Sequence, residues 1–199
     1  MAEEIQIFIP DLSYDNLDYQ GDLDEVEASK KFQQELEAKL SRKVIEANIG
    51  AGADCPAFLL ELLEYKEVAA GLLAIFFLGK PIKENCNAWV SIGKKIADII
   101  KGTGGYLNRI AAFLYALVKV QAEIKEDIKS LKLIEYKSVD GRSEYSWEQI
   151  ESDCVNGFSD KPSDEFISIQ VHYFKVVVNE VTIELLVKGD AVEIRGINP

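Results

Sequence analysis

The sequence predicts an α+β fold with an N-terminal strand-helix-strand unit, a central three-helix bundle and a C-terminal antiparallel β-meander. Two observations carry this. β-Branched and aromatic runs stand at both ends of the chain, and between them apolar residues recur at helical spacing. A third concerns organisation: no internal repeat or low-complexity linker interrupts the 199 residues, so residues 1–199 are read as a single compact domain. Its sub-regions are 1–54 (strand-helix-strand), 55–131 (helical bundle) and 132–199 (antiparallel sheet).

Ile5–Ile9 is an apolar run stopped by Pro10 and reads as a strand. Asp11, Asp15, Asp18, Asp22 and Asp24 follow, and no Lys or Arg precedes Lys30. From about Glu25 to Leu40, the stripe Val26, Phe32, Leu36, Leu40 marks a surface amphipathic helix with acids first and bases last, as the helix dipole favours. Val44–Ile49 is the second strand. If parallel to the first, it would be joined to it by a right-handed crossover. Asp54 and Pro56 then suit the cap and first turn of a helix reaching Leu78. Its second half, Val68–Leu78, has no polar face and so predicts a buried central helix.

A third helix carries Ile82, Cys86, Trp89, Gly93, Ile96 and Ile100 on one face. After the break at Gly102–Gly105 a fourth sets Leu107, Ile110, Leu114, Leu117, Gln121, Ile124, Ile128 and Leu131 in a heptad-like seam, its first half enclosed. Leu133–Tyr136 reads as a strand running to an Asp140-Gly141 turn. Ser146-Trp147-Glu148-Gln149 matches a capping box for a short helix. The runs Phe166–Val178, Val181–Val187 and Val192–Ile194, separated by Asn179-Glu180 and Gly189-Asp190, complete the meander.

Charge and cysteine content narrow the functional classes. A net charge of -12 and a pI near 4.6 argue against nucleic acid, whose binding rests on neutralising phosphates. Three cysteines, Cys55, Cys86 and Cys154, without close pairing suit a reducing compartment, and no secretory signal pattern opens the chain, so a cytoplasmic location is expected.

Asn16–Glu27 matches the calcium loop of EF-hands. Asn16, Asp18 and Gln20 fall at positions one, three and five, Gly21 at the turn, and Asp22, Asp24 and Glu27 at seven, nine and twelve. Because Asn16 replaces the usual Asp and a strand precedes the loop, the preferred reading is an acidic connection feeding a helix N-terminus. Ca²⁺ is kept as the alternative, and no other cofactor is expected.

Catalytic constellations are thin. His172 is the one histidine, in an aromatic-rich strand. Cys55 could be activated at a helix N-terminus if a base lay beside it. Ser91-Ile92-Gly93-Lys94 fits Ser-x-x-Lys without its companion motifs. Glu61, Glu64 and Glu67 read as a solvated stripe, and Gly50-Ala51-Gly52 as a tight strand-to-helix turn. A zinc site from the cysteines and His172 lacks the required spacings. Lys80, Lys83, Lys94, Lys95, Lys101 and Arg109 flank the apolar helices as their wet faces, or face an anionic membrane.

The order strand, helix, strand, small-residue loop, apolar helix resembles small adaptor modules of bacterial conflict systems. The resemblance covers the first half of the chain, rests on element order and assigns no residue a role. The leading expectation is a non-enzymatic soluble interaction or regulatory protein binding a protein partner with a basic surface. One alternative is a membrane-acting protein that inserts its apolar helices. Another is an enzyme with a Cys55-centred site. An open sheet edge or helix stripe would also permit a homodimer.

Overall fold

The computed structural model describes residues 4–13, 22–48, 56–83, 85–140, 147 and 170–196. In chain order these form β1 (Gln6–Pro10), α1 (Asp22–Leu40), β2 (Ile45–Asn48), β3 (Pro56–Glu61), a 3₁₀ turn (Leu63–Tyr65) and α2 (Lys66–Leu78). There follow α3 (Cys86–Thr103), β4 (Tyr106–Leu107), α4 (Arg109–Ile124), β5 (Leu131–Asp140), β6 (Gln170–Val178), β7 (Val181–Lys188) and β8 (Ala191–Arg195). The strands make two antiparallel sheets, β2-β3-β1-β4 and β5-β6-β7-β8. The fold is α+β, and its C-terminal sheet is the expected meander.

The largest departure from the sequence reading lies at Pro56–Glu61, a strand rather than the start of a helix. A short apolar run cannot be told from a buried helix by period. Here β3 is internal to its sheet and buries side chains on both faces: Phe58 and Leu60 in the main core, Ala57 on the opposite face. Pro56 opens the strand, where a missing N–H is tolerated, and its carbonyl accepts from Asp11 N at 2.9 Å. With β3 between them, β1 and β2 are not neighbours, so no parallel crossover exists.

The second correction concerns which helix is central. Among the described side chains of α2, Ala69, Leu72 and Ile75 are buried in one stripe, while Ala70 and Ala74 are exposed. α4 instead is buried continuously from Ile110 to Leu117 and again at Val120. It packs against α3 and touches β1 and β4 of one sheet and β6, β7 and β8 of the other. α3 and α4 form the close helical pair, whereas α2 reaches both α4 and β5. α3 and α4 meet at Gly93, where a Cβ would lie 2.1 Å from the Leu114 carbonyl oxygen. One apolar core runs from Ile5 through these helices to Val187.

Element ends also shift. α3 begins at Cys86, and Ile82 instead pairs with Leu131 through two backbone bonds of 2.7 and 2.9 Å, extending the edge of β5. α4 ends at Ile124 with Lys125 in the left-handed region, so Ile128 and Leu131 do not continue its seam. Its start is fixed by Asn108, whose Oδ1 accepts from Ala111 N at 3.0 Å. A bulge between Leu133 and Glu135 leaves Ile134 half exposed. The hairpin at Asn179-Glu180 has positive φ at both residues, 47° and 75°, as a type I′ turn requires, and Gly189 (φ 56°) turns β7 into β8. Of the Asp140-Gly141 turn only Asp140, the last residue of β5, is described, and of the capping-box helix only a helical Trp147.

Candidate functional site

His172 is fully buried on the core face of β6. Its Nε2 lies 2.8 Å from the Leu107 carbonyl and its Nδ1 3.0 Å from Tyr136 Oη. A carbonyl only accepts, so Nε2 carries the hydrogen and Nδ1 accepts from the tyrosine. Burial, reinforced by nearby Arg109 and opposed by the bond to Leu107, lowers the imidazole pKa from 6.5 to about 4. The ring lies near-parallel to Tyr136 and Phe174, with centroids at 6.2 and 6.1 Å, and those two rings pack on each other at 5.1 Å. With both nitrogens engaged and burial opposing protonation, this imidazole is neutral and ties the two sheets together. Ser138, its cross-strand partner, and Gln170 are buried beside it.

Cys86 is buried in the first turn of α3, and desolvation pushes its thiol pKa up, which suppresses the thiolate. Cys55 and Cys154 lie outside the described residues, as do Gly50-Ala51-Gly52 and, of the calcium-loop candidates, Asn16, Asp18 and Gln20. Asp22 and Asp24 fall in the opening turn of α1, which starts three residues before the expected Glu25, and Glu27 is exposed on the same helix. Among the described residues no group of three or more His, Cys, Asp or Glu could hold a metal ion.

Glu61, Glu64 and Glu67 stand on three different elements: β3, the 3₁₀ turn and α2. Gln6 Nε2 donates to Glu61 at 3.1 Å, and Arg42 grips Glu64 through both guanidinium arms, holding that carboxyl below its ordinary range. Ser91 and Lys94 are both exposed on α3, while Gly93 between them serves the helix contact. Of the basic middle, Lys80, Lys83, Lys94, Lys95 and Lys101 are exposed, and Lys95 sits 5.2 Å over the Tyr65 ring. No helix among the described residues is long and apolar enough to cross a membrane.

The feature that sequence reasoning missed is the second face of the N-terminal sheet. Alternation along β1 and β3 sends Ile7, Ile9, Phe58 and Leu60 to the main core. It sends Phe8 and Ala57 to the other side, where Ala47, Leu59 and Tyr106 join them in a separate apolar cluster. Toward the β2 edge this face ends at Ile45, 56% exposed. The missing signal was β3 itself, since the cluster becomes visible only when Ala57 and Leu59 are read as strand residues.

The β2 edge has its own chemistry. Asp11 N bonds Pro56 O, which sets the ladder parity: the backbone groups of Ile45 and Ala47 point to β3, and those of Val44, Glu46 and Asn48 point outward. α1 caps the first of these. Gln33 Nε2 donates to Val44 O at 3.2 Å and Val44 N donates to Glu37 Oε1 at 3.1 Å. That bond and the Lys43 ammonium lower the Glu37 pKa, the lysine contact being the larger cause. Alongside β2, Asp11, Ser29, Lys30, Glu46 and Phe58 help line a groove of about 180 Å³ between α1 and the sheet. Asp11 is 6% exposed; its carboxylate accepts from Ser29 Oγ at 2.5 Å and Ser13 N at 3.0 Å. No known protein family, curated protein or solved structure matches the chain.

Proposed function

We propose that this chain is a non-enzymatic interaction protein that binds a protein partner through the second face and open edge of its N-terminal sheet. The observation that carries the reading is Ile45, 56% exposed at the β2 edge, where the sheet face that buries Phe8 and Ala57 reaches solvent. The engaged nitrogens of His172 and the suppressed thiol of Cys86 favour it over chemistry at those residues. The net charge of -12 favours a basic partner by steering. Insertion of the apolar helices into lipid is disfavoured because α4 would have to leave both sheets at once.

The test is site-specific photocrosslinking. A benzophenone side chain at position 45 should give a discrete adduct in extract of the source cells, and one at Ile134, 50% exposed on the other sheet, should not. Matching adducts at both positions, or none at 45, would reject the proposal.

A further inference from the structure

We propose that β8, the C-terminal edge strand, pairs antiparallel with β8 of a second copy of this chain, Ile194 opposite Ile194 across a two-fold axis, so that the two C-terminal sheets join as one. This contact is separate from the N-terminal face proposed to bind a protein partner, and neither depends on the other.

The two sheets have four edges, and three of them carry a device against pairing. At β2, Gln33 and Glu37 take both outward groups of Val44 and Asn48 is already partnered, which leaves Glu46 alone. β4 is two residues long, and His172 takes the Leu107 carbonyl. β5 gives both outward groups of Leu131 to Ile82 and is bent by the bulge between Leu133 and Glu135. β8 has none of these, since Ala191–Arg195 contains no Lys, Pro or bulge. Asn179 N donates to Ser130 O, which turns the even-numbered residues of β6 toward β7. Through the tight turns at Asn179-Glu180 and Gly189-Asp190, the odd-numbered residues of β8 then bond to β7. The N–H and C=O of Val192 and Ile194 therefore face outward, and no described residue bonds to them.

The chain's own β8 matches this edge. Val192 and Ile194 pack against the core, while Glu193 and Arg195 lie on the outer face, where Trp147 donates to Glu193 Oε2 at 2.6 Å and sits 4.3 Å under the Arg195 guanidinium. A two-fold axis normal to the sheet keeps apolar beside apolar on the inner face. Centred on Glu193, the pairing would set that carboxylate directly opposite its copy, which repels; centred on Val192, it would pair Glu193 only with Ala191. Centred on Ile194, it sets Glu193 opposite Arg195 twice and closes two backbone bonds between the Ile194 residues. Neither Trp147 contact saturates the group it holds. Because β8 ends at Arg195, with Gly196 at φ 83°, the overlap is short and the dimer is reversible. The net charge of -12 opposes association at long range, but physiological salt screens it beyond about 8 Å, and the cross-strand pairs are closer than that.

The test is sedimentation equilibrium of the full chain at physiological salt, from about 1 μM to about 1 mM, the range expected of so small an interface. The parent should pass from monomer to dimer, with amide exchange slowing at Val192 and Ile194 as the dimer fills. Glu193→Arg and Arg195→Glu should each weaken self-association about tenfold or more. An equimolar mixture of the two should associate about as tightly as the parent, because it restores opposite charges at both cross-strand pairs. Ile194→Pro removes an outward N–H, leaves the ladder to β7 intact and should be monomeric throughout; should it fail to fold, the charge variants carry the test. A parent that stays monomeric, a dimer indifferent to either charge reversal, a mixture no tighter than its components, or a dimer that leaves exchange at Val192 and Ile194 unchanged would overturn the pairing.

Discussion

His172 on β6 donates its Nε2 hydrogen to the carbonyl of Leu107 on β4, 2.8 Å away, and so ties the edge of one sheet to the middle of the other. Because its folded pKa lies near 4 against 6.5 when unfolded, the unfolded state takes up the proton first. The stability this group contributes is full above pH 6.5, falls as the pH drops toward 4 and is then exhausted, a loss of about 3 kcal/mol at most. As the chain has one histidine, urea unfolding at pH 7 and pH 5 should show this slope in the parent and a flatter one in His172→Gln.

Tyr136→Phe tests the other half of that network. It removes the hydroxyl that donates to Nδ1 and keeps the ring against Phe174. A loss of about 1 kcal/mol is expected in denaturant unfolding, with the histidine slope retained.

Gly93→Ala should be among the most damaging single-methyl additions. The new Cβ would meet the Leu114 carbonyl oxygen at 2.1 Å and Val118 at 2.7 Å, and a backbone oxygen inside a packed helix cannot step aside. Separating α3 from α4 costs about 3 kcal/mol, read as a lower urea midpoint. Gly71→Ala, where the nearest atom is Trp89 at 4.0 Å, serves as the tolerant control.

Trp147 closes the outer side of the C-terminal sheet. Its indole packs with Val171, Tyr173 and Leu186, donates to Glu193 Oε2 at 2.6 Å and lies 4.3 Å under the Arg195 guanidinium. Trp147→Ala should cost about 3 kcal/mol and raise binding of an apolar dye. Trp147→Phe should lose about 1 kcal/mol, the share of the hydrogen bond.

Cys86 is 3% exposed with a raised thiol pKa. Alkylation of native protein at pH 8, followed by peptide mass spectrometry, should leave Cys86 unmodified until denaturant is added. Prompt labelling would show that the first turn of α3 opens locally.

The C-terminal half was the more legible because its signals are local. Asn179-Glu180 and Gly189-Asp190 specify their turns from two residues each, and the flanking β-branched runs leave one pairing order. Asn108 was not read as a cap, because the helical seam was drawn from Leu107, which instead lies in β4. Pro56–Glu61 was not legible, because Ala and Leu favour helices and only the neighbours β1 and β2 make these residues a strand. That one misreading hid the second face of the sheet and, with it, the groove over Asp11. The burial of α4 rather than α2 was equally non-local: both are apolar on most sides, and contact with both sheets decides between them.

The position of β1 inside its sheet carries a cost in time. Its partners are β3, about 50 residues downstream, and β4, about 100 residues downstream. At ordinary synthesis rates of about 5–20 residues per second, β1 waits on the order of ten seconds after its own synthesis for its second neighbour. Until then an apolar strand, Ile5 to Ile9, stands half-paired in the nascent chain, and the fold relies on whatever shields that strand while the ribosome is still at work.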